Sequence, residues 1–204
     1  MKTTPAFISA ALLGCVVASS SIGRAQTNAG LLGQRYVGLS FFSESIRDHS
    51  ISNGTGGMAG LNVPLTPYLD FGASGSFESF RDYNIKDNRA FAGLTAYHDF
   101  NAFKAFADAS IGGTWQSSTV SGVSYSNHDG LYAVGVGMEL PFTDRSALFG
   151  RLALNQYFQG DHGHYWTYTG GASHWFNEKL GATLSVTFFE NSSVTFALGA
   201  NIRF

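Results

Sequence analysis

An all-β chain closed into one antiparallel up-and-down barrel that crosses a membrane is the fold this sequence predicts, and three observations predict it. Apolar and small polar residues alternate with a period of two along most of the chain, the pattern of a strand whose successive side chains point to opposite faces. Charged residues are 13% of the 204, about half the ~25% of a soluble globular domain. Short turns rich in Pro, Asn or Asp alternate with longer polar links, as in a meander with a short-turn rim and a long-loop rim. The 44% hydrophobic content excludes a disordered chain. A formal charge of −2 leaves no basic footprint, so nucleic acid is not an expected partner.

The first segment reads as an address. Lys2, the apolar stretch Ala6–Ala18 and the small residues from Ser19 to Gly23 form a secretory signal, with Gly23 and Ala25 at −3 and −1 of a cleavage site before Gln26. The only cysteine, Cys15, follows Leu12-Leu13-Gly14, which offers the alternative of lipidation at a lipoprotein box. The apolar run continues past it through Val16, Val17 and Ala18 and favours ordinary cleavage. The expected division is therefore a signal peptide at 1–25 and a barrel domain at 26–204. Cysteine is absent from that domain, which excludes disulfides and thiolate metal sites.

Ten strands follow, or eight if two runs are wrongly split. The last shows the rule best: Val194, Phe196, Leu198, Ala200, Ile202 and Phe204 alternate with Ser193, Thr195, Ala197, Gly199, Asn201 and Arg203. Leu180 to Phe188, Phe103 to Trp115 and Tyr132 to Leu140 repeat it. Weaker runs lie at about 34–43, 56–64, 69–80, 89–98, 146–158 and 164–176; facing is ambiguous in 89–98 and 164–176, where both alternations carry apolar residues. Pro64–Tyr68, Asp99–Ala102, Pro141–Arg145 and Phe176–Lys179 are the tight turns. Ser43–Thr55, Arg81–Asn88, Gln116–Asp129 and Phe158–Gly163 are the longer links, with Glu190–Ser193 a short exception.

Composition decides which face meets which solvent. The polar alternation is mostly Gly, Ser, Thr and Ala, too small and uncharged for a solvated exterior but suited to a narrow lumen. Hydrocarbon then covers the apolar band, and in hydrocarbon only a helix or a closed barrel pairs every backbone N–H and C=O. Aromatics near strand ends, at Phe71, Phe103, Trp115, Trp175, Phe188, Phe196 and Phe204, fit interfacial girdles.

Ala200-Asn201-Ile202-Arg203-Phe204, apolar at alternate positions and ending in Phe, resembles the terminal strand of bacterial outer-membrane proteins. Arg35-Tyr36-Val37-Gly38-Leu39-Ser40-Phe41 is similar to the opening strand of small OmpA-like and opacity-type barrels. The resemblance implies location in the outer membrane of a Gram-negative bacterium, contact with its lipid and lipopolysaccharide, and handling by periplasmic chaperones and the barrel-assembly machinery. That machinery would read Ala200, Ile202 and Phe204 as its signal. Ten strands depart from the eight usual in that group.

Eight ionisable residues sit within strands on the small polar face: Arg35, Asp70, Glu78, Lys104, Asp108, Glu139, Arg151 and Arg203. A basic side chain turned to lipid at the bilayer centre costs ~2–4 kcal/mol, so all eight are expected inside, four of each sign, paired as a salt-bridge plug. A charged water-filled path is the alternative, but ten strands enclose little more than the eight whose interior side chains just fill.

Catalytic chemistry is sparse. Ser173 and His174 are adjacent in one strand and point to opposite faces, so they cannot act as a nucleophile and base; His98 and His174 are left to find partners across strands. Asp161-His162-Gly163-His164, with His128 and Asp129 in another outer link, is the most metal-like cluster, though polar loops commonly contain histidines without binding metal. Neither a metal nor a cofactor is expected. Asn53-Gly54-Thr55 and Asn191-Ser192-Ser193 match glycosylation acceptors that mean nothing in a bacterium. Three roles follow: a non-enzymatic barrel with a structural or surface-interaction role, first; a narrow channel for ions or small solutes, second; a lipid-modifying enzyme, third.

Overall fold

The computed structural model describes residues 29–46, 53–80, 84–120, 123–159, 163–190 and 193–204. The expected signal peptide with Cys15, Asp161 and His162, and the Asn191-Ser192 pair lie outside these residues. Ten antiparallel strands run in chain order: β1 (Tyr36–Ile46), β2 (Gly54–Thr66), β3 (Leu69–Phe80), β4 (Ile85–Asp99), β5 (Lys104–Val120), β6 (Val123–Thr143), β7 (Ser146–Tyr157), β8 (His164–Trp175), β9 (Leu180–Phe189) and β10 (Ser193–Arg203). Each pairs with its sequence neighbours, and β1 pairs with β10 to close the barrel. The closing seam runs without a break from Tyr36↔Arg203 to Ile46↔Ser193. Ten strands is the expected count, and the eight-strand alternative is discarded.

The period of two decides which side chain meets which medium. Val37, Leu39 and Phe41 on β1 face out, as do Phe196, Leu198 and Ile202 on β10, and all six are exposed. Where the sequence left facing open, the structure supplies it. Arg89, Phe91, Thr95 and Tyr97 turn inward on β4, and Tyr165, Thr167, Thr169 and Trp175 on β8. Trp175 is a correction to the expected girdle: it is 1% exposed and sits inside the mouth of the barrel. The expected links are corrected too. β4 begins at Ile85, which takes Asp87 out of a loop and into the lumen, and the link expected at Gln116–Asp129 is mostly the ladder joining β5 to β6 up to Val120↔Val123.

Glycines make the lumen packable. Phe42 is register partner to Gly56, Phe91 to Gly112, Phe106 to Gly137, Phe149 to Gly171 and Trp175 to Gly181. In each pair the aromatic ring lies over the glycine of the facing strand. A Cβ at Gly112 would stand 2.5 Å from the Phe91 ring, and one at Gly181 would stand 2.6 Å from the Trp175 ring. A bore lined by full-sized side chains at all these positions would not close at this diameter. The rings take space that their partners vacate, the cross-strand covering of glycine by an aromatic ring that stabilises curved sheets.

A matched pair of substitutions tests this packing. The Cβ of Gly112→Ala would meet the carbonyl of Ala90 as well as the Phe91 ring, whereas the Cβ of Gly170→Ala meets nothing within 4 Å. Gly112→Ala is expected to lose about 1–3 kcal/mol, the range for overpacking a filled core. Gly170→Ala should leave stability within about 0.5 kcal/mol of the parent, the ordinary range for an unconstrained surface site. Urea unfolding in lipid vesicles, followed by tryptophan fluorescence, measures both.

Candidate functional site

The lumen holds three stacked layers. At the short-turn rim the chain before β1 folds back into the mouth, and Ala29, Leu31 and Leu32 are each at most 2% exposed. Gly30 and Gly33 adopt φ of 88° and 99° there, a left-handed conformation that glycine takes at little cost. Four strands grip this segment by its backbone. Glu139 on β6 accepts from the N–H groups of Leu31 (2.7 Å) and Leu32 (3.2 Å) through Oε2. Lys104 Nζ on β5 donates to the Leu32 carbonyl at 3.0 Å and lies 3.8 Å from Glu139 Oε1. Trp175 Nε1 on β8 donates to the Gly30 carbonyl at 2.7 Å, and Asn62 Nδ2 on β2 to the Gln34 carbonyl at 3.1 Å. The Arg203 guanidinium stacks 3.7 Å above the Trp175 ring.

Above this plug one ion pair bridges β5 and β7 along the wall of the bore. Arg151 on β7 donates through Nε to Asp108 Oδ2 at 2.8 Å and through Nη2 to Oδ1, a bidentate pair whose side chains are 6% and 5% exposed. It passes over β6 at Gly135, where a Cβ would lie 2.9 Å from Asp108 Oδ2 and 3.0 Å from Arg151 Nε. Beside it, against β1–β3 and β9–β10, a cavity of about 50 Å³ is lined by Ser40, Ser74, Thr183, Ser185 and Asn201 among others. That is room for a few waters.

The third layer, toward the long-loop rim, is aromatic and acidic. Phe91, Leu131, Tyr157, Tyr165 and Phe189 form one cluster and Phe42 with Phe80 a second. Among them Arg89 bonds Asp87, whose other oxygen accepts from Thr114 Oγ1 at 2.9 Å. Glu44 and Glu78 are buried beside each other, within the electrostatic reach of Arg89.

Of the eight ionisable residues read from the sequence, Lys104 and Glu139 meet at the plug and Asp108 and Arg151 in the middle. Asp70 and Glu78 are buried in the wall. Arg203 lies against the Trp175 ring, and Arg35 is exposed where the chain enters β1. Sequence reasoning missed Glu44, Asp87, Arg89 and Asp129, all buried. Glu44, Asp87 and Asp129 fell in stretches taken as loops, and Arg89 in a strand of ambiguous facing. Ala200, Ile202 and Phe204 face outward along β10, with Phe204 N bonded to the Arg35 carbonyl at 3.3 Å.

Two chemical candidates can be placed. His174 finds Ser146 across β7 and β8, Oγ to Nδ1 at 2.8 Å, on the outer face. The ring of Phe176 packs edge-on against the imidazole, with centroids 4.9 Å apart. His98 packs edge-on against Phe100 in the same way. His128 and His164 are exposed, and Asp129 Oδ1 accepts from the Gln159 N–H at 3.4 Å. No group of three His, Asp or Glu is placed to hold a metal ion among the described residues.

Beyond the lumen, the β5–β6 hairpin outgrows its neighbours. β6 has 21 residues and β5 has 17, against the ~9–11 that cross a bilayer. β4 leaves β5 after Lys86↔Ser117, and β7 leaves β6 after Tyr157↔Leu131. Past those points the hairpin is a two-stranded ribbon with Val123 and Tyr125 exposed. Residues 114–128 contain no Asp, Glu, Lys, Arg or Pro.

No protein-family model matches the chain, and no curated protein matches its sequence. Solved structures do resemble it. The β domain of the Bordetella autotransporter BrkA aligns with a TM-score of 0.52 at 9% identity, covering 84% of this chain and 99% of that one. The translocator domain of the autotransporter NalP from Neisseria meningitidis aligns at 0.50 and 10% identity, covering 89% and 90%. The fold is that of a bacterial outer-membrane β-barrel.

Two outcomes are expected from the lumen. Arg151→Met or Asp108→Leu alone leaves one buried charge unpaired and should cost about 3–5 kcal/mol, while the double variant should recover most of that loss. Equilibrium unfolding of the four proteins gives the coupling directly. Glu139→Ala strands two N–H groups and Lys104, and should cost about 1–3 kcal/mol. It should also make a cysteine introduced at Leu32 reactive to a water-soluble maleimide, in a background where the sole native cysteine, Cys15, is replaced by Ser.

Proposed function

We propose that the chain is a non-enzymatic integral protein of the Gram-negative outer membrane, delivered by its signal peptide. Its short turns face the periplasm, its bore is shut, and its role lies in what the outer hairpin presents at the surface. The observation that carries this reading is the contrast between a lumen plugged at one mouth and lined with buried side chains, and a hairpin built longer than the membrane needs. An inserted backbone segment at one mouth, a bidentate ion pair along the wall and two aromatic clusters narrow the bore and support the reading that it is shut. Past Ser117 on β5 and before Asp129 on β6, the ribbon places uncharged edges and the exposed Val123 and Tyr125 beyond the barrel. Exposed edges that lack charge or proline are the ones on which another extended backbone can pair. The outward alternation ending in Ala200, Ile202 and Phe204 supports handling by the assembly machinery and its chaperones.

Planar bilayers containing the purified protein are expected to show no discrete conductance steps; regular steps would favour a channel. Replacing residues 118–125 by a two-residue turn should leave the faster migration of the unboiled protein on SDS gels unchanged while removing binding of whole cells to host or neighbouring surfaces. Lipid A from cells with and without the protein should give the same mass spectrum, since the reading includes no lipid-modifying activity.

A further inference from the structure

Charge is unevenly distributed around the short-turn rim. The rim has five stations: the end of β10 beside the start of β1, then the β2–β3, β4–β5, β6–β7 and β8–β9 turns. Among the described residues, three adjacent stations carry the exposed cations, Arg35 at the seam, Lys179 after β8 and Arg145 after β6, while the half-buried Arg203 is turned onto Trp175. Hydrogen bonds join them into one ledge. Arg145 Nη1 donates to the Phe176 carbonyl at 3.0 Å, Arg203 N to the Lys179 carbonyl at 2.8 Å, and Phe204 N to the Arg35 carbonyl at 3.3 Å. Asp144 and Glu178 are the side-chain carboxylates of this sector, so three exposed cations stand against two. The other two stations hold the exposed carboxylate Asp99 and no exposed cation, Lys104 being turned inward onto Leu32.

The wall beside this ledge is apolar and exposed: Phe142, Phe176, Leu180, Ile202 and Phe204. A soluble anion would use the cations and gain nothing from that wall; a zwitterionic lipid would use the wall and little of the excess charge. Only an amphiphile with a net negative head uses both. We infer that the β7–β10–β1 sector of this rim binds anionic phospholipid of the adjoining leaflet, its phosphodiester against Arg145, Lys179 and Arg35 and its acyl chains along Phe176 and Leu180. Neighbouring basic residues supply the attraction at the headgroup level, and aromatic residues hold the interface.

This inference rests on the barrel standing in a bilayer, and the experiment separates the two. The protein is placed in nanodiscs of equimolar phosphatidylglycerol and phosphatidylcholine, and the lipids that stay bound on release are counted by native mass spectrometry. Phosphatidylglycerol should be retained several-fold over phosphatidylcholine, and added salt should reduce the preference. Arg145→Gln and Lys179→Gln should each lower it by up to about fivefold, while Lys86→Gln at the opposite rim should leave it unchanged. Equal retention of the two lipids, or a preference that survives the Arg145→Gln/Lys179→Gln double variant, would overturn the inference. So would peptidoglycan binding that the double variant loses without any lipid preference, which would assign the ledge to the cell wall. Loss of the faster unboiled migration in the parent protein would instead overturn the barrel reading.

Discussion

Everything in this molecule depends on the closing seam between β1 and β10. In hydrocarbon an unpaired backbone N–H or C=O costs several kcal/mol because no water replaces the missing partner. A ten-strand sheet left open would expose two such edges; joining Tyr36–Ile46 to Ser193–Arg203 along their whole length removes both. Once the seam is made, the period of two has no freedom left. One alternation must face lipid and the other must share a cylinder too narrow for ten full-sized side chains at each level.

That second constraint explains the glycines. In a soluble protein the apolar alternation would form the core, whereas here the core is the polar alternation, and it must be packed with what remains. Phe42, Phe91, Phe106, Phe149 and Trp175 are admitted to the lumen because each faces a glycine. The Asp108–Arg151 pair obeys the same geometry, reaching across β6 where Gly135 has no side chain to block it. Burial of such a pair is tolerated because both oxygens of the carboxylate are met by the guanidinium fork.

The mouth is sealed differently, by backbone. The segment from Ala29 to Gln34 carries its own peptide groups into a buried place, and Glu139, Lys104, Trp175 and Asn62 supply partners for them. Glu139 and Lys104 thus serve the inserted segment more closely than each other, their separation of 3.8 Å being long for a direct hydrogen bond. An inserted segment at one end and an overlong hairpin at the other give the barrel two unlike faces.

Alternation in residues 180–188 and 194–204 was enough to read strands, outward faces and closure, because a period of two and a low charge count are local properties of the chain. The inward placement of Asp108, Glu139, Lys104 and Arg151 was legible for the same reason. Which charge meets which was not. Asp108 and Arg151 are 43 positions apart and meet only because β5, β6 and β7 are neighbours in one particular register. Trp175 looked like a girdle residue because both alternations of its strand carry apolar side chains; only the strand's register against β9 turns it onto Gly181 and under Arg203. The inserted N-terminal segment left no periodic trace at all, since Gly30 and Gly33 belong to no strand and its partners come from four. Where one alternation alone was apolar, the chain by itself settled which residues line the wall, and the closed sheet settled who touches whom inside it, because facing is set by parity along one strand while contact is set by register between strands.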